Sequence, residues 1–315
     1  MKIVVTGGAG FIASQVADAY VAAGHEVIII DNLSSGKRAN LPPAAKFYHA
    51  DIRAPEAEEI LRSERPQVLS HHAAQMDVRR SVAEPGFDAE VNVLGTLNLL
   101  ETAREVGVER VVFASSGGAV YGEQSAFPAS ESHPPNPISP YGITKATGEH
   151  YLAFYHAVHG IPYVALRYSN VFGPRQDPHG EAGVVAIFTE RLLAGEVPTI
   201  YGDGKQTRDY VFVGDIVRAN LAALDTDFVG PVNVGTGIET DVNALCAHLR
   251  VLIGSPHQAK HASARAGEQR RSVIAIDRAR EVLGWRPEVS LEEGLRRTVA
   301  FFRARREQAG VSTTP

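Results

Sequence analysis

Cysteine is almost missing from this chain: Cys246 stands alone among 315 residues. One thiol closes no intramolecular disulfide and builds no cysteine metal cluster. It reads as a small core residue in a reducing compartment. A basic excess is missing too. Lys and Arg number 31 against 36 Asp and Glu, a formal net charge of −5, so little is available to neutralise a phosphate backbone and nucleic acid is not an expected partner. No apolar run approaches the roughly 20 residues that span a bilayer. The start, "MKIVVTGG", enters a strand at once rather than an apolar leader, and neither an internal repeat nor a low-complexity tract is visible. What remains is an ordinary globule, 44% hydrophobic and 21% charged, with enough chain for a sizeable core in one large or two moderate domains. Its expected location is the cytoplasm, with no membrane partner.

Short β-rich runs alternate with helical ones through the first half. Residues 2–6, 25–30, 45–50, 67–71, 110–115 and 162–167 read as strands by length and branching, most with few polar interruptions, as strands covered on both faces require. Helices are expected over 10–23, 55–64, 88–106 and 139–158. This alternation predicts an α/β fold with a doubly wound parallel sheet. After about residue 170 the pattern loosens. A loop rich in Gly and Pro precedes an amphipathic "VVAIFTERLLAG"; "RDYVFVGDIVRANLAAL" reads as strand plus helix and "GPVNVGTG" as another strand. Short helices and loops follow, and 303–315 reads as a fraying polar tail.

"TGGAGFIAS" (6–14) follows the first strand and opens the first helix, with Gly7, Gly10 and then Ala13 in the spacing of a dinucleotide loop. Glycine is needed where the chain turns tightly and where backbone approaches a pyrophosphate, and the helix N-terminus beyond offers free N–H groups and a positive dipole. Asp31 ends the second strand some twenty residues on, where a carboxylate binds a ribose 2′-OH and repels a 2′-phosphate. That favours NAD over NADP, although Lys37 and Arg38 stand nearby. Asp51 and Ile52, after the third strand, suit contact with an adenine. The simpler reading of Asp31 is an Asx turn.

"SSGGAVYG" ends the fifth strand, and "SPYGITK" opens a helix with Ser139 as N-cap and Pro140 at the first helical position. Tyr141 and Lys145 then lie four apart on one face. A phenol, with a reference pKa of about 10, is a poor base at neutral pH; a neighbouring ammonium and a positive nicotinamide ring both favour phenolate. With a hydroxyl from Ser116 to hold a substrate oxygen, the group is an acid–base device for moving a proton while a hydride leaves the same carbon. A plain strand-end turn followed by a capped surface helix is the alternative on local sequence.

On these residues, and on "DNLSSG", "HHAAQ", "RYSNVFGPRQDP", "GDGKQTRDYVFV" and "NVGTG", the chain resembles the extended short-chain dehydrogenase/reductase family over roughly 1–300, and within it the enzymes of sugar nucleotides. The resemblance implies a Rossmann domain over 1–170, to which 207–237 returns, and a smaller C-terminal α/β domain for the substrate over 171–206 and 238–315. It implies Tyr141 as base and acid and Lys145 as its partner on the nicotinamide ribose. Many relatives carry Ser or Thr three residues before the Val of "VYG", which here is Gly117, so the hydroxyl falls to Ser116 or else to Ser115.

The NAD shell so implied comprises Gly7, Gly10, Phe11, Ile12, Asp31, Asn32, Ser35, Gly36, Asp51, Ile52, Ala73, Ala74, Gln75, Asn92 and Tyr168, besides Tyr141 and Lys145. Uridine diphosphate would lie against Asn170, Val185, Tyr201, Arg208, Arg265 and Glu268. Two arginines and an amide answer a pyrophosphate, and a Tyr flanks a flat base; a surface salt bridge to Asp209 or Asp215 is the simpler reading of Arg208. The implied activity is C4 epimerisation of a UDP-hexose, with a UDP-glucuronate epimerase and a non-catalytic NAD-binding sensor as alternatives. A dehydratase is disfavoured, because two glycines stand where such enzymes carry Asp-Glu. Seven positions beyond Arg265 is Ser272, where a small residue would admit a 2-acetamido sugar. The histidines, His72 among them, form no metal spacing and read as structural. By analogy, helices 88–106 and 139–158 form a homodimer interface.

Overall fold

The computed structural model describes residues 1–179, 183–264 and 269–310. β1 (Lys2–Thr6) leads into α1 (Phe11–Ala22), followed by β2 (Glu26–Asp31), β3 (Lys46–His49), α2 (Pro55–Glu64) and β4 (Val68–His71). Next come α3 (Val78–Ala83), α4 (Pro85–Ala89) and α5 (Gly95–Val106), then β5 (Arg110–Ser116), the single turn α6 (Gly117–Tyr121), α7 (Pro140–His159) and β6 (Tyr163–Tyr168). The remainder runs β7 (Asn170–Phe172), α8 (Val184–Leu193), β8 (Thr199–Tyr201), β9 (Thr207–Phe212), α9 (Val213–Ala222) and β10 (Gly230–Val234). It ends with β11 (Glu239–Asp241), α10 (Val242–Ile253), β12 (Lys260–Ala262), β13 (Arg271–Ser272), α11 (Asp277–Leu283) and α12 (Leu291–Gln308).

Seven strands pair in parallel in the order β10-β6-β5-β4-β1-β2-β3. β2 explains why such a sheet needs apolar runs rather than alternation. Val27 and Ile29 enter the core under one face and Ile28 and Ile30 the core under the other, all of them buried. Each such side chain withdrawn from water contributes roughly 2 kcal/mol. The chain leaves β1 toward β2 on one side and meets β4 on the other, so the crevice of the sheet opens at the carboxyl ends of β1 and β4. The smaller sheet joins β7, β11 and β13 to β9, and α8, α10 and α12 share a third core with it.

Three expectations change. The helix expected over 88–106 begins at Pro85 and is interrupted by a π-helical turn over Glu90–Leu94. The tail expected at 303–315 is helical to Gln308: Leu295, Val299 and Phe302 form a buried stripe, and Arg306 pairs with Glu190 of α8 at 2.7 Å, pinning the last turn. The return expected of 207–237 is split. α9 packs on α1 and β10 edges the large sheet, whereas β9 sits in the smaller one. Among the described residues no helix is long and apolar enough to cross a membrane.

Candidate active site

The cradle after β1 is built from backbone. Gly7 has φ +71°, and a Cβ there would lie 2.8 Å from the Ala73 nitrogen, so only glycine lets this loop cross the end of β4. Gly7 N donates to Ile30 O at 2.8 Å and Gly10 N to Gly7 O at 2.9 Å. Gly10 is the N-cap of α1 and supplies no side-chain cap, which leaves the first-turn N–H groups of Phe11 and Ile12 to a ligand. Asp31, 7% exposed, accepts from Ala9 N at 2.9 Å through Oδ2 and from Leu33 N at 2.7 Å through Oδ1. It therefore closes an Asx turn and also ties the end of β2 to the glycine loop.

The segment holding Ser35 folds back on that loop, for a Cβ on Gly36 would meet Ala9 Cβ at 2.7 Å. The two nearby cations are engaged elsewhere: Lys37 pairs with Asp177 at 3.4 Å, and Arg38 lies over the Phe47 ring at 5.0 Å. Asn32 Nδ2 donates to Asp51 at 2.9 Å, and Arg53 holds the Asp51 carboxyl well below the usual carboxylate range. The Ile52 side chain is buried in the sheet core. Beyond β4, past Ala73 and Ala74, the Gln75 backbone is clasped by the Asn92 amide, which accepts from Gln75 N at 2.8 Å and donates to Gln75 O at 2.9 Å. An uncapped helix start, a glycine turn and a carboxylate at the end of β2 fit a dinucleotide.

α7 begins as its sequence requires, with Ser139 Oγ accepting from Gly142 N at 3.1 Å and Pro140 in the first turn. Lys145, 4% exposed, donates from Nζ to Ala114 O at 2.9 Å and lies 5.9 Å from the centroid of the Tyr141 ring. Burial draws its ammonium down to about 8, against the pull of Asp88 and Glu149. Burial pushes the Tyr141 phenol up to about 12; the nearby Ser116 hydroxyl works the other way, and Asp88 adds to the rise. Desolvation thus opposes the phenolate that the ammonium and a nicotinamide ring would together favour, and the lysine makes no hydrogen bond to the hydroxyl. Ser115 has a different partner. Its Oγ donates to Glu149 at 2.5 Å, and Glu149 pairs with Arg167 at 2.6 Å in the sheet interior.

The implied substrate positions are spread over the smaller sheet and α8. Asn170 on β7 and Tyr201 on β8 are exposed, while Val185 is 1% exposed and offers a ligand only its backbone. Tyr168 likewise points into the core, its hydroxyl accepting from Asn220 at 2.8 Å. Arg208 donates to Thr207 O at 2.8 Å; Asp209 is taken by Thr236 and Gly237, and Asp215 by Arg218. Ser272, 4% exposed, pairs in register with Arg208, and a Cβ on Gly118 would lie 3.2 Å from its Oγ. Arg265 and Glu268 lie outside the described residues. Asp88, Thr144, Glu149 and Arg167 were not anticipated around the pair. Thr144 lies inside the quoted "YGITK", the one signal that pointed its way.

The model of the NAD dependent epimerase/dehydratase family matches residues 3–235. The chain belongs to that family. It is 48% identical to the UDP-glucose 4-epimerase of Mycolicibacterium smegmatis over 309 residues, covering 96% of this chain and 99% of the relative. The structure of UDP-glucose 4-epimerase with UDP-glucose from Thermotoga maritima superposes with a TM-score of 0.95 at 50% identity, over 97% of this chain and 99% of that one. A UDP-N-acetylglucosamine 4-epimerase from Methanobrevibacter ruminantium, solved with UDP-N-acetylmuramic acid, superposes at 0.92 with 37% identity, over 96% and 98%. The fold and cofactor class of the family agree with the glycine cradle and parallel sheet described above.

Proposed function

We propose that the protein interconverts the C4 epimers of a UDP-hexose, with Ser116, Tyr141 and Lys145 as its catalytic group. The observation that carries this reading is the convergence of three groups at the end of β5, beside the glycine cradle: the Ser116 hydroxyl, the Tyr141 phenol, and the Lys145 ammonium 5.9 Å from the Tyr141 ring centroid. The Gly7–Ile12 turn, Asp31 and the Asn32–Asp51 pair would hold NAD, with Ser35, Gly36, Ile52, Ala73, Ala74, Gln75, Asn92 and the Tyr168 backbone around it. NAD supplies a reversible acceptor for the C4 hydride.

Everything else falls to side chains. Tyr141 would act as the phenolate that the Lys145 ammonium and the positive nicotinamide ring of bound NAD both favour; it takes the proton from O4 as the carbonyl forms and returns it after the sugar has presented its other face, so the same group is base and then acid. Ser116 holds O4 against that phenol. Lys145, buried and charged, offsets the negative charge that Tyr141 gains while deprotonated. Epimerisation needs a sugar that turns and a nucleotide that does not, so binding energy belongs on UDP. The proposed anchors are Asn170, the Val185 backbone, Tyr201 and Arg208, with Arg265 and Glu268.

A second reading extends the substrate to the N-acetylated pair. The observation that favours it is Ser272, a small side chain turned inward against Gly118. We further assign 1–170 with α9 and β10 to the dinucleotide and the rest to the sugar nucleotide, and a cytoplasmic location. A homodimer through α5 and α7 is supported by exposed Leu94 and by the exposed stripe Ile143, Phe154 and Val158; sedimentation of Phe154→Glu as a dimer would remove that support. The main test mixes purified protein with a panel of UDP-hexoses and follows them by NMR. Interconversion of UDP-glucose and UDP-galactose is expected, and tightly held NAD with no turnover of any UDP-sugar would mark a sensor instead.

A further inference from the structure

Asp88 is fully buried, at 0% exposure, and no step above uses it. Its carboxylate accepts from Gln75 Nε2 at 2.8 Å, from Asn92 Nδ2 at 3.2 Å and from Thr144 Oγ1 at 2.8 Å. Among the described residues it makes no ion pair within 4.0 Å. A carboxylate taken out of water is costly unless its surroundings compensate, and the three donors here are all neutral. The donors are telling, because each comes from a different wall of the site: the segment after β4, the π-helical turn and α7. Thr144 Oγ1 also reaches the Tyr141 carbonyl at 3.1 Å and accepts from Asn92 at 3.1 Å, so the network runs from Asp88 to the backbone that carries the phenol.

We propose that Asp88 is the positioning residue of the site: it clamps Gln75, Asn92 and Thr144 into one arrangement and is the fixed negative charge that keeps Lys145 an ammonium. This rests on the reading of Tyr141 and Lys145 as the acid–base pair. The other charged or titratable groups around Lys145 do not replace it. Glu149, on the same helix, is already paired with Arg167 of β6. His71 and His72, at the end of β4, are held neutral by burial and by Lys145 itself. Tyr141 is a neutral phenol, raised by its own burial. Asp88 remains the anion without a cation of its own, and geometry places it at Lys145: it accepts at 2.8 Å from Thr144, the residue directly before Lys145 on α7.

Asp88→Asn removes the charge and keeps the shape. Its carbonyl oxygen can face the two amide donors while its NH2 faces the Thr144 hydroxyl, which accepts as readily as it donates. Lys145 works as the ammonium, so activity is present below its pKa and lost as pH rises through it. Without Asp88 that loss moves to lower pH. The chain has six lysines, few enough to resolve by NMR with 13C at the lysine Cε, Lys145 being assigned by its loss in Lys145→Arg. Expected in Asp88→Asn are a Lys145 midpoint and an alkaline limb of kcat that both fall by roughly one pH unit, with UDP affinity held within about threefold. Thr144→Val removes a hydrogen bond but no charge, and should leave the Lys145 midpoint within about 0.3 unit. Asp88→Ser, which leaves room for a water, is titrated in parallel in case Asp88→Asn does not fold. A Lys145 midpoint unmoved by loss of the Asp88 charge overturns the proposal whatever happens to kcat. Absence of turnover in the wild type would overturn the epimerase reading instead, while the NMR midpoint still decides the part played by Asp88.

Discussion

Ser115 and Ser116 are consecutive on β5, yet their hydroxyls belong to opposite faces of the sheet: Ser115 donates to Glu149 in the interior, whereas Ser116 stands by the Tyr141 phenol. Strand geometry makes this unavoidable, since successive side chains alternate. The two alanine variants should therefore fail differently. Ser116→Ala should lose at least about tenfold in kcat with stability unchanged, less than the roughly 10²–10⁴-fold of the group that itself transfers the proton. Ser115→Ala should keep most of its rate and lose about 1–3 kcal/mol of stability, because a buried charged acceptor is left short of a donor. Rate assays and urea melts on both proteins decide it; the reverse pattern would move the catalytic hydroxyl to Ser115.

Tyr141→Phe deletes one oxygen. If that oxygen acts in the transition state, kcat falls by roughly 10²–10⁴ and UDP binding is untouched. A variant retaining more than about a tenth of the wild-type rate would show that another group moves the proton.

Nucleotide released from denatured protein, purified with none added, should be NAD. On the proposed assignment Asp31 would face the 2′-position with a carboxylate, and Lys37 and Arg38 are turned to Asp177 and Phe47. Chromatography of the released nucleotide is the check, and a preparation yielding mainly NADP would contradict the assignment of Asp31.

Ser272→Tyr should separate the two substrate pairs. A phenol ring against Gly118 fills the space that an acetamido group would need. Turnover of UDP-GlcNAc and UDP-GalNAc should disappear while UDP-glucose and UDP-galactose stay within several-fold of wild type. Equal losses on both pairs, or no N-acetyl activity at the start, would show that Ser272 is not the gate.

The large sheet was legible because its strands are apolar runs such as "EVIIID", whose burial on both faces leaves no other use for them. The glycine turn and the capped start of α7 were legible for a similar reason: each is local, written within a few residues. What escaped depends on partners far apart in the chain. Nothing near Arg306 announces Glu190, 116 residues earlier, so the end of α12 read as a tail. Asp88 follows Pro85 closely and reads as an ordinary first-turn acid; only packing brings Gln75 and Thr144 onto it. The pKa directions escaped too, because burial is a tertiary property. Burial pushes the Tyr141 phenol up, against the ammonium and nicotinamide ring that the sequence reading sets on the other side.

Because both oxygens of Asp31 are fastened to main-chain N–H groups, of Ala9 on one side and Leu33 on the other, the carboxylate proposed to read the ribose is also the latch of the loop. A lineage drifting toward a phosphorylated dinucleotide by exchanging this residue alone would slacken its own phosphate grip in the same step. The switch takes two changes at once, a replacement at 31 and a new tether for Ala9, and neither helps without the other. On that assignment, fidelity to the unphosphorylated coenzyme would be guarded by folding as much as by charge.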